Sequence, residues 1–134
     1  HNRRKIEKNP FINWIELKEG SSIDKNVIDW VHLYASSYEK VLVILDSNHT
    51  HDHVLGELNA YASLVSKSSY CVVFDTIVDD MPSELSSDRP WGPGNNPKTA
   101  IKEFLITNEH FKIDYKISDK LQITVAPEGF LRRE

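Results

Sequence analysis

The sequence predicts an α/β fold, with a mostly parallel sheet flanked by helices and an antiparallel hairpin near the C-terminal end. Three observations carry this. Two uninterrupted aliphatic or aromatic runs, Val41 to Leu45 and Tyr70 to Phe74, each close on an aspartate, Asp46 and Asp75. Runs that are apolar at every position suit central parallel strands covered by helices on both faces. Between them, Val54, Leu58, Tyr61 and Val65 recur at helical spacing and supply the crossover that a parallel pair requires. Near the end, Phe111, Ile113, Tyr115 and Ile117 alternate with polar residues, and so do Leu121, Ile123 and Val125 after Ser118-Asp119-Lys120, as in a hairpin.

The remaining elements fall around these. Phe11 to Leu17 is short, apolar and β-prone, and it ends at the turn-forming Lys18-Glu19-Gly20-Ser21-Ser22, so it is predicted as a strand. Asp24 suits the cap of a helix in which Val27, Ile28, Val31, Tyr34 and Ala35 share a face up to Ser36. Residues 77–96 are polar and rich in Pro and Gly, ending in Arg89-Pro90-Trp91-Gly92-Pro93-Gly94-Asn95-Asn96, the composition of a lid or binding loop. Pro97 then opens a helix with Ala100, Ile101, Phe104 and Leu105 on its buried face. The predicted order is β-α-β-α-β-(lid)-α-β-β within a single domain spanning residues 1–134.

Composition narrows the function classes. At 134 residues and 15.4 kDa, with 40% hydrophobic and 27% charged residues, the chain can build a core and is not a disordered segment. A net charge of -4 argues against nucleic acid as a partner, because phosphate affinity grows with basic contacts. The single cysteine, Cys71, has no internal disulfide partner and reads as an inert core thiol; Trp14 and Trp30 read as core or interface aromatics. No apolar run approaches the roughly 20 residues that span a bilayer, which points to a cytoplasmic protein. The opening His1-Asn2-Arg3-Arg4-Lys5, without Met or a signal-peptide core, reads as part of a longer or processed chain.

In open α/β sheets, ligands bind beyond the carboxyl ends of the strands. Those ends carry Glu19-Gly20-Ser21-Ser22, Asp46-Ser47-Asn48-His49 and Asp75-Thr76. Asp46 and Asp75 could share a hard divalent cation such as Mg2+, or each could cap the turn after its strand. His49, on the same rim, is a candidate general base or a solvated loop histidine. The cluster His49-Thr50-His51-Asp52-His53 resembles the His-x-His-x-Asp-His zinc signature of metallo-β-lactamase-like hydrolases, with one residue missing before Asp52. His51 and His53 are expected in the first turn of the helix, mostly solvated. None of the five glycines builds a dinucleotide or phosphate-binding loop. In the lid, Arg89, Trp91, Asn95 and Asn96 offer a cation, an aromatic face and amides for a polyhydroxylated substrate, or else a surface loop pinned by Trp91.

Four separated stretches, VLVILDSNHTHDHVLGEL from Val41, SYCVVFDTIVDDMP from Ser69, RPWGPGNNPKTA from Arg89 and APEGFLRR from Ala126, resemble the cephalosporin hydroxylase and rhamnosyl O-methyltransferase family. The resemblance implies a Rossmann-like fold and an S-adenosylmethionine-dependent methyltransferase, in some members Mg2+-dependent. It makes Asp46 and Asp75 metal ligands, His49 the base, and the loop Glu19, Gly20, Ser21 and Ser22, with Asp46, a contact for the cofactor. Where members with a bound metal carry an acidic pair, this chain has Phe74-Asp75; Asp79 or Asp80 could substitute. The glycine-rich half that cradles the methionine part of the cofactor would lie before His1.

The expectation is therefore the C-terminal part of an O-methyltransferase acting on a hydroxyl of a sugar, glycolipid or antibiotic-like small molecule. The rivals are a non-catalytic fragment or interaction domain of the same fold, and a zinc hydrolase built on residues 49–53. An exposed edge at Val41 to Leu45 is expected to drive self-association into a homo-oligomer, or to pair with Phe11 to Leu17.

Overall fold

The computed structural model describes residues 2–134; His1 lies outside the described residues. Both aliphatic runs become strands. Val43–Leu45 (β1) and Tyr70–Val73 (β2) pair in parallel, with Val43 opposite Cys71 and Leu45 opposite Val73. The crossover between them is His51–Tyr61 (α3), extended by a 3-10 turn at Ala62–Leu64. Phe111–Ile113 (β3) and Phe130–Arg133 (β4) complete a mixed sheet of order β1-β2-β4-β3, in which β4 runs antiparallel to both neighbours.

The other helices among the described residues are Asn2–Glu7 (α1), Lys25–Ala35 (α2), Pro97–Thr107 (α4) and Tyr115–Leu121 (α5). The start of α4 is fixed by sequence chemistry. Pro97 needs no hydrogen-bond acceptor for a backbone N–H, the Asn96 side chain accepts from the N–H groups of Lys98 and Thr99, and Thr99 Oγ1 accepts the Asn96 N–H in return. α3 and α4 pack on one face of the sheet. There Leu45, Cys71, Val73, Leu131 and Phe111 meet Val54, Leu58, Ile101 and Phe104, all buried, and Phe104 lies edge-on to Phe111 at 5.6 Å. Gly129 passes so close to β2 that a Cβ there would meet the Val73 carbonyl oxygen at 2.1 Å, so no other residue fits. Among the described residues, no helix is long and apolar enough to cross a membrane.

Three sequence expectations are corrected. Phe11 to Leu17 is not a strand: Ile12–Trp14 is a 3-10 turn, and residues 15–19 are extended without a ladder. β-propensity yields a strand only where a neighbour takes its N–H and C=O groups; Phe11 and Trp14 stay in solvent, Trp14 at 87%. Val41 to Leu45 shortens to β1 and lies at the edge of the sheet, not its centre. Only β2 pairs with it, and Ile44 on the face away from α3 is 57% exposed. The C-terminal antiparallel hairpin is replaced by β3, then α5, then β4. Asp114 accepts the Lys116 N–H and starts the helix where alternation suggested a strand, and Leu121, Ile123 and Val125 find no strand partner. The antiparallel pairing itself persists, between β3 and β4.

Candidate active site

Parallel pairing in register brings the residues that follow β1 and β2 to one rim. His49 lies four residues beyond β1 and Asp75 two beyond β2, and His49 Nε2 is 2.5 Å from Asp75 Oδ2. Both side chains are 29% exposed, enough to meet a ligand and too little to be freely solvated. Asp75 adopts φ 56°, in the left-handed region that Asp tolerates better than most residues. With Nε2–H donated to the carboxylate, Nδ1 carries the lone pair, which is the tautomer a general base needs. The His49 ring lies 5.2 Å from Trp91, over which Arg89 is placed at 5.8 Å.

Asp46, exposed at the end of β1, joins this pair. Ligand atoms of Asp46, His49 and Asp75 all lie within 4.8 Å of one another, and among the described residues this is the convergent group of metal-ligating side chains. Asp79 and Asp80 are engaged elsewhere. Asp79 accepts from the Gly94 N–H at 3.0 Å, the Asn96 amide at 2.7 Å and Lys102 at 3.1 Å, and these donors hold its carboxyl down at about 2. Asp80 pairs with Lys98 at 2.9 Å, and Lys98 also reaches Glu128 at 2.8 Å.

The histidine cluster does not converge. His51 Nδ1 meets Thr99 Oγ1 at 2.9 Å and its Nε2 meets Glu103 at 3.2 Å, whereas His53 faces Ser22 at 2.9 Å and Ser47 at 3.2 Å. Both lie in the first turn of α3 as expected, but neither is mostly solvated, at 22% and 18% exposure. Their partners come from α4, from the loop before α2 and from Ser47 after β1, a grouping that sequence spacing cannot show.

Of the loop residues, Asn95 and Asn96 are occupied by the scaffold. Asn95 accepts the His51 N–H at 2.9 Å and donates to the Pro90 carbonyl; Asn96 is fully buried as the cap of α4 and donates to Asp79 and to the Gly92 carbonyl. Trp91 lines the smaller cavity beside His49, and Arg89 reaches the site only through the Trp91 ring it overlies.

Two cavities meet this rim. The larger, about 740 Å³, runs along β1 against α2 and includes Ser22, Trp30, Asp46, Ser47 and Glu57 in its walls. The smaller, about 280 Å³, is closed at one end by His49 and Asp75 and is walled by the loop that follows β2. Of the cofactor loop, Ser22 lines the larger cavity; Glu19 pairs with Arg3 at 3.3 Å, and Ser21 is exposed. Gly20, at φ 145°, lies where a Cβ would meet Val27 at 2.7 Å.

One candidate site residue carries no sequence signature of its own. Glu57 is 2% exposed; Ser47 donates to its Oε1 at 2.6 Å, and its Oε2 is buried with no partner. The Tyr61 phenol beside it donates to the Ser22 carbonyl and is pushed up by burial, with the Glu57 charge adding to the effect. The signal lies in its surroundings, since Glu57 falls between Val54 and Tyr61 on the apolar face of α3, where a carboxylate demands an explanation.

The four motifs, the rim they build and the chain's full span agree with one family profile, described as Rhamnosyl O-methyltransferase/CmcI, which matches residues 1–134. The chain belongs to the Rhamnosyl O-methyltransferase/CmcI family. Curated relatives of the same family name include the rhamnosyl O-methyltransferases of Mycobacterium tuberculosis (strain ATCC 25618 / H37Rv) and Mycobacterium bovis (strain BCG / Pasteur 1173P2). Each is 33% identical to the chain over 120 residues, covering 86% of the chain and 45% of the relative. The chain thus spans about half the length of the curated relatives it matches. No solved structure matches it significantly.

Proposed function

We propose that this chain forms the acceptor-side part of a Rossmann-like O-methyltransferase that moves a methyl group from S-adenosylmethionine to a hydroxyl of a rhamnosyl sugar. The observation that carries this reading is the position of the His49–Asp75 pair, which lines the smaller cavity and stands within 4.8 Å of Asp46, a lining residue of the larger one. The larger cavity is the donor side and the smaller one the acceptor side.

The larger cavity suits the donor. Its volume of about 740 Å³ lies within the range of small-ligand clefts. Its lining includes the carboxylate of Asp46, which suits the hydroxyl groups of S-adenosylmethionine, and Glu57, whose buried, unpartnered Oε2 adds negative charge behind the wall. Ser22, the last residue of the loop Glu19 to Ser22, lines the same cavity. When bound, that cofactor supplies an electrophilic methyl group on a sulfonium centre. The chain's own residues do the rest. Asp75 holds the imidazole of His49 in orientation, Nδ1 takes the proton of the acceptor hydroxyl, and the Trp91 ring limits where the acceptor can sit. Asp46 and Asp75 would also hold a divalent cation such as Mg2+, whose chemistry there would be to lower the pKa of a bound hydroxyl.

The test is transfer of labelled methyl from S-adenosylmethionine to methyl α-L-rhamnopyranoside, with the chain alone and within a polypeptide of the relatives' length. The expected result is turnover in the longer form and its loss in His49→Ala. Calorimetry that finds no affinity of the longer form for S-adenosylmethionine would sink the proposal and favour a non-catalytic domain.

A further inference from the structure

The smaller cavity has a chemical polarity that the transferase reading does not use. Of its lining residues, only His49, Asp75, Ser86 and Trp91 carry polar side-chain groups, and His49 and Asp75 meet each other. The Ser86 hydroxyl, which also borders it, is donated to the Ser83 carbonyl at 3.2 Å. The opposite wall is hydrocarbon, built from Ile77, Met81, Leu85 and Val125. Three of these are left facing water, Met81 at 37%, Leu85 at 63% and Val125 at 48% exposure, immediately beside a candidate catalytic pair. An apolar wall kept wet next to a reacting centre is what a ligand's hydrocarbon surface covers.

We propose that Ile77, Met81, Leu85 and Val125 form a subsite that seats the C5 methyl group of a 6-deoxyhexose acceptor while a ring hydroxyl lies at His49. The inference rests on the acceptor assigned under the proposed function and adds the determinant of its specificity. With a ring hydroxyl held at His49 and the exocyclic carbon on this wall, a hexose would press its 6-hydroxyl against hydrocarbon, stripped of water and without a new partner. A 6-deoxyhexose has one purely hydrocarbon substituent, and the wall matches it. Trp91, beside His49 at 5.2 Å, offers its ring to the C–H face of the sugar. The cavity's 280 Å³ sits near the lower end for small-ligand sites, room for a single ring and not for an extended chain of sugars.

The preference is bounded. An apolar pocket rejects an isostere that merely adds a hydroxyl by about a hundredfold at most. The experiment compares methyl α-L-rhamnopyranoside with methyl α-L-mannopyranoside, which differ only in that hydroxyl, binding to the 134-residue chain followed by ligand-detected NMR. The expected result is rhamnoside binding tighter by about tenfold to a hundredfold, with the strongest saturation transfer at its C6 methyl protons and not at the glycosidic O-methyl. Leu85→Gln and Met81→Gln should bring the two affinities together by weakening the rhamnoside alone; both positions are exposed, and circular dichroism checks that each variant is folded. Equal affinities for the two glycosides, C6 methyl protons no more saturated than ring protons, or selectivity unmoved by both substitutions overturns the subsite and leaves the transferase reading standing. Binding of neither glycoside overturns the subsite and the rhamnosyl acceptor together.

Discussion

His49 and Asp75 stand 26 positions apart in the chain, beyond the ends of neighbouring parallel strands, and their side chains meet at 2.5 Å. The contact depends on sheet register: Leu45 lies opposite Val73, so the segments that follow leave the sheet side by side. A shift of one residue would turn every side chain of β1 to the other face and part the pair.

The first prediction follows from the tautomer that Asp75 selects. Asp75→Asn keeps the shape and removes the charge that holds Nε2–H, so kcat is expected to fall by about 10²- to 10⁴-fold with KM little changed. Steady-state kinetics of the proposed methyl transfer, in a polypeptide of the relatives' length, checks this; an Asp75→Asn variant with wild-type kcat would remove Asp75 from the mechanism.

Asp79 leads to a pH-dependent stability prediction. Its carboxyl is held at about 2, against an ordinary value near 3.8, chiefly by the Gly94 N–H and the Asn96 amide. A folded-state value below the unfolded one means that the contribution is complete above about pH 4 and drains away as pH falls towards 2. Urea unfolding of Asp79→Ala should show a deficit of roughly 1–3 kcal/mol at pH 6 that narrows at pH 3. A deficit that is the same at both values contradicts the assignment.

Cys71 offers a chemical test of the core. The thiol is fully buried, and burial pushes it up to about 12, so almost none is thiolate at pH 8. A disulfide reagent such as Ellman's should leave the native chain unmodified for hours and titrate it fully in denaturant. Rapid reaction without denaturant would mean that the sheet opens beneath α3.

The edge of β1 leads to a fourth prediction. Leu42, just before β1, at 53% and Ile44, in its middle, at 57% exposure mark an edge strand with unpaired backbone groups, a template for another strand. We expect the 134-residue chain to self-associate in sedimentation velocity runs, and Ile44→Lys to shift it towards monomer. A wild-type chain that stays monomeric at high concentration shows that this edge does not pair.

The parallel pair and its rim were legible in the sequence because strand, terminating aspartate and crossover helix each leave a local pattern that burial enforces. Where the reading failed, a period of two had no partner to satisfy it. Leu121, Ile123 and Val125 alternate like a strand, yet Ile123 ends up 92% exposed because β4 is supplied by Phe130–Arg133. The same holds for Phe11 to Leu17. Asn95 and Asn96 looked like ligand groups, since an amide's chemistry is the same whether it meets a sugar or a helix N-terminus. Glu57 was hidden in the opposite way, its charge masked by the apolar spacing around it.

The residues that anchor the loop after β2 constrain how it can move. One post is Asp79, holding Gly94 and Asn96; the other is the asparagine pair, tied to the starts of α3 and α4. Between these posts the span from Pro82 to Arg89 is nearly all exposed. Leu85 lies within it, so the span supplies part of the proposed subsite, whereas Asp79, Asn95 and Asn96 fix that wall in place without lining it. A change at a post should therefore act through the position of the wall and not through a lost contact with the ligand.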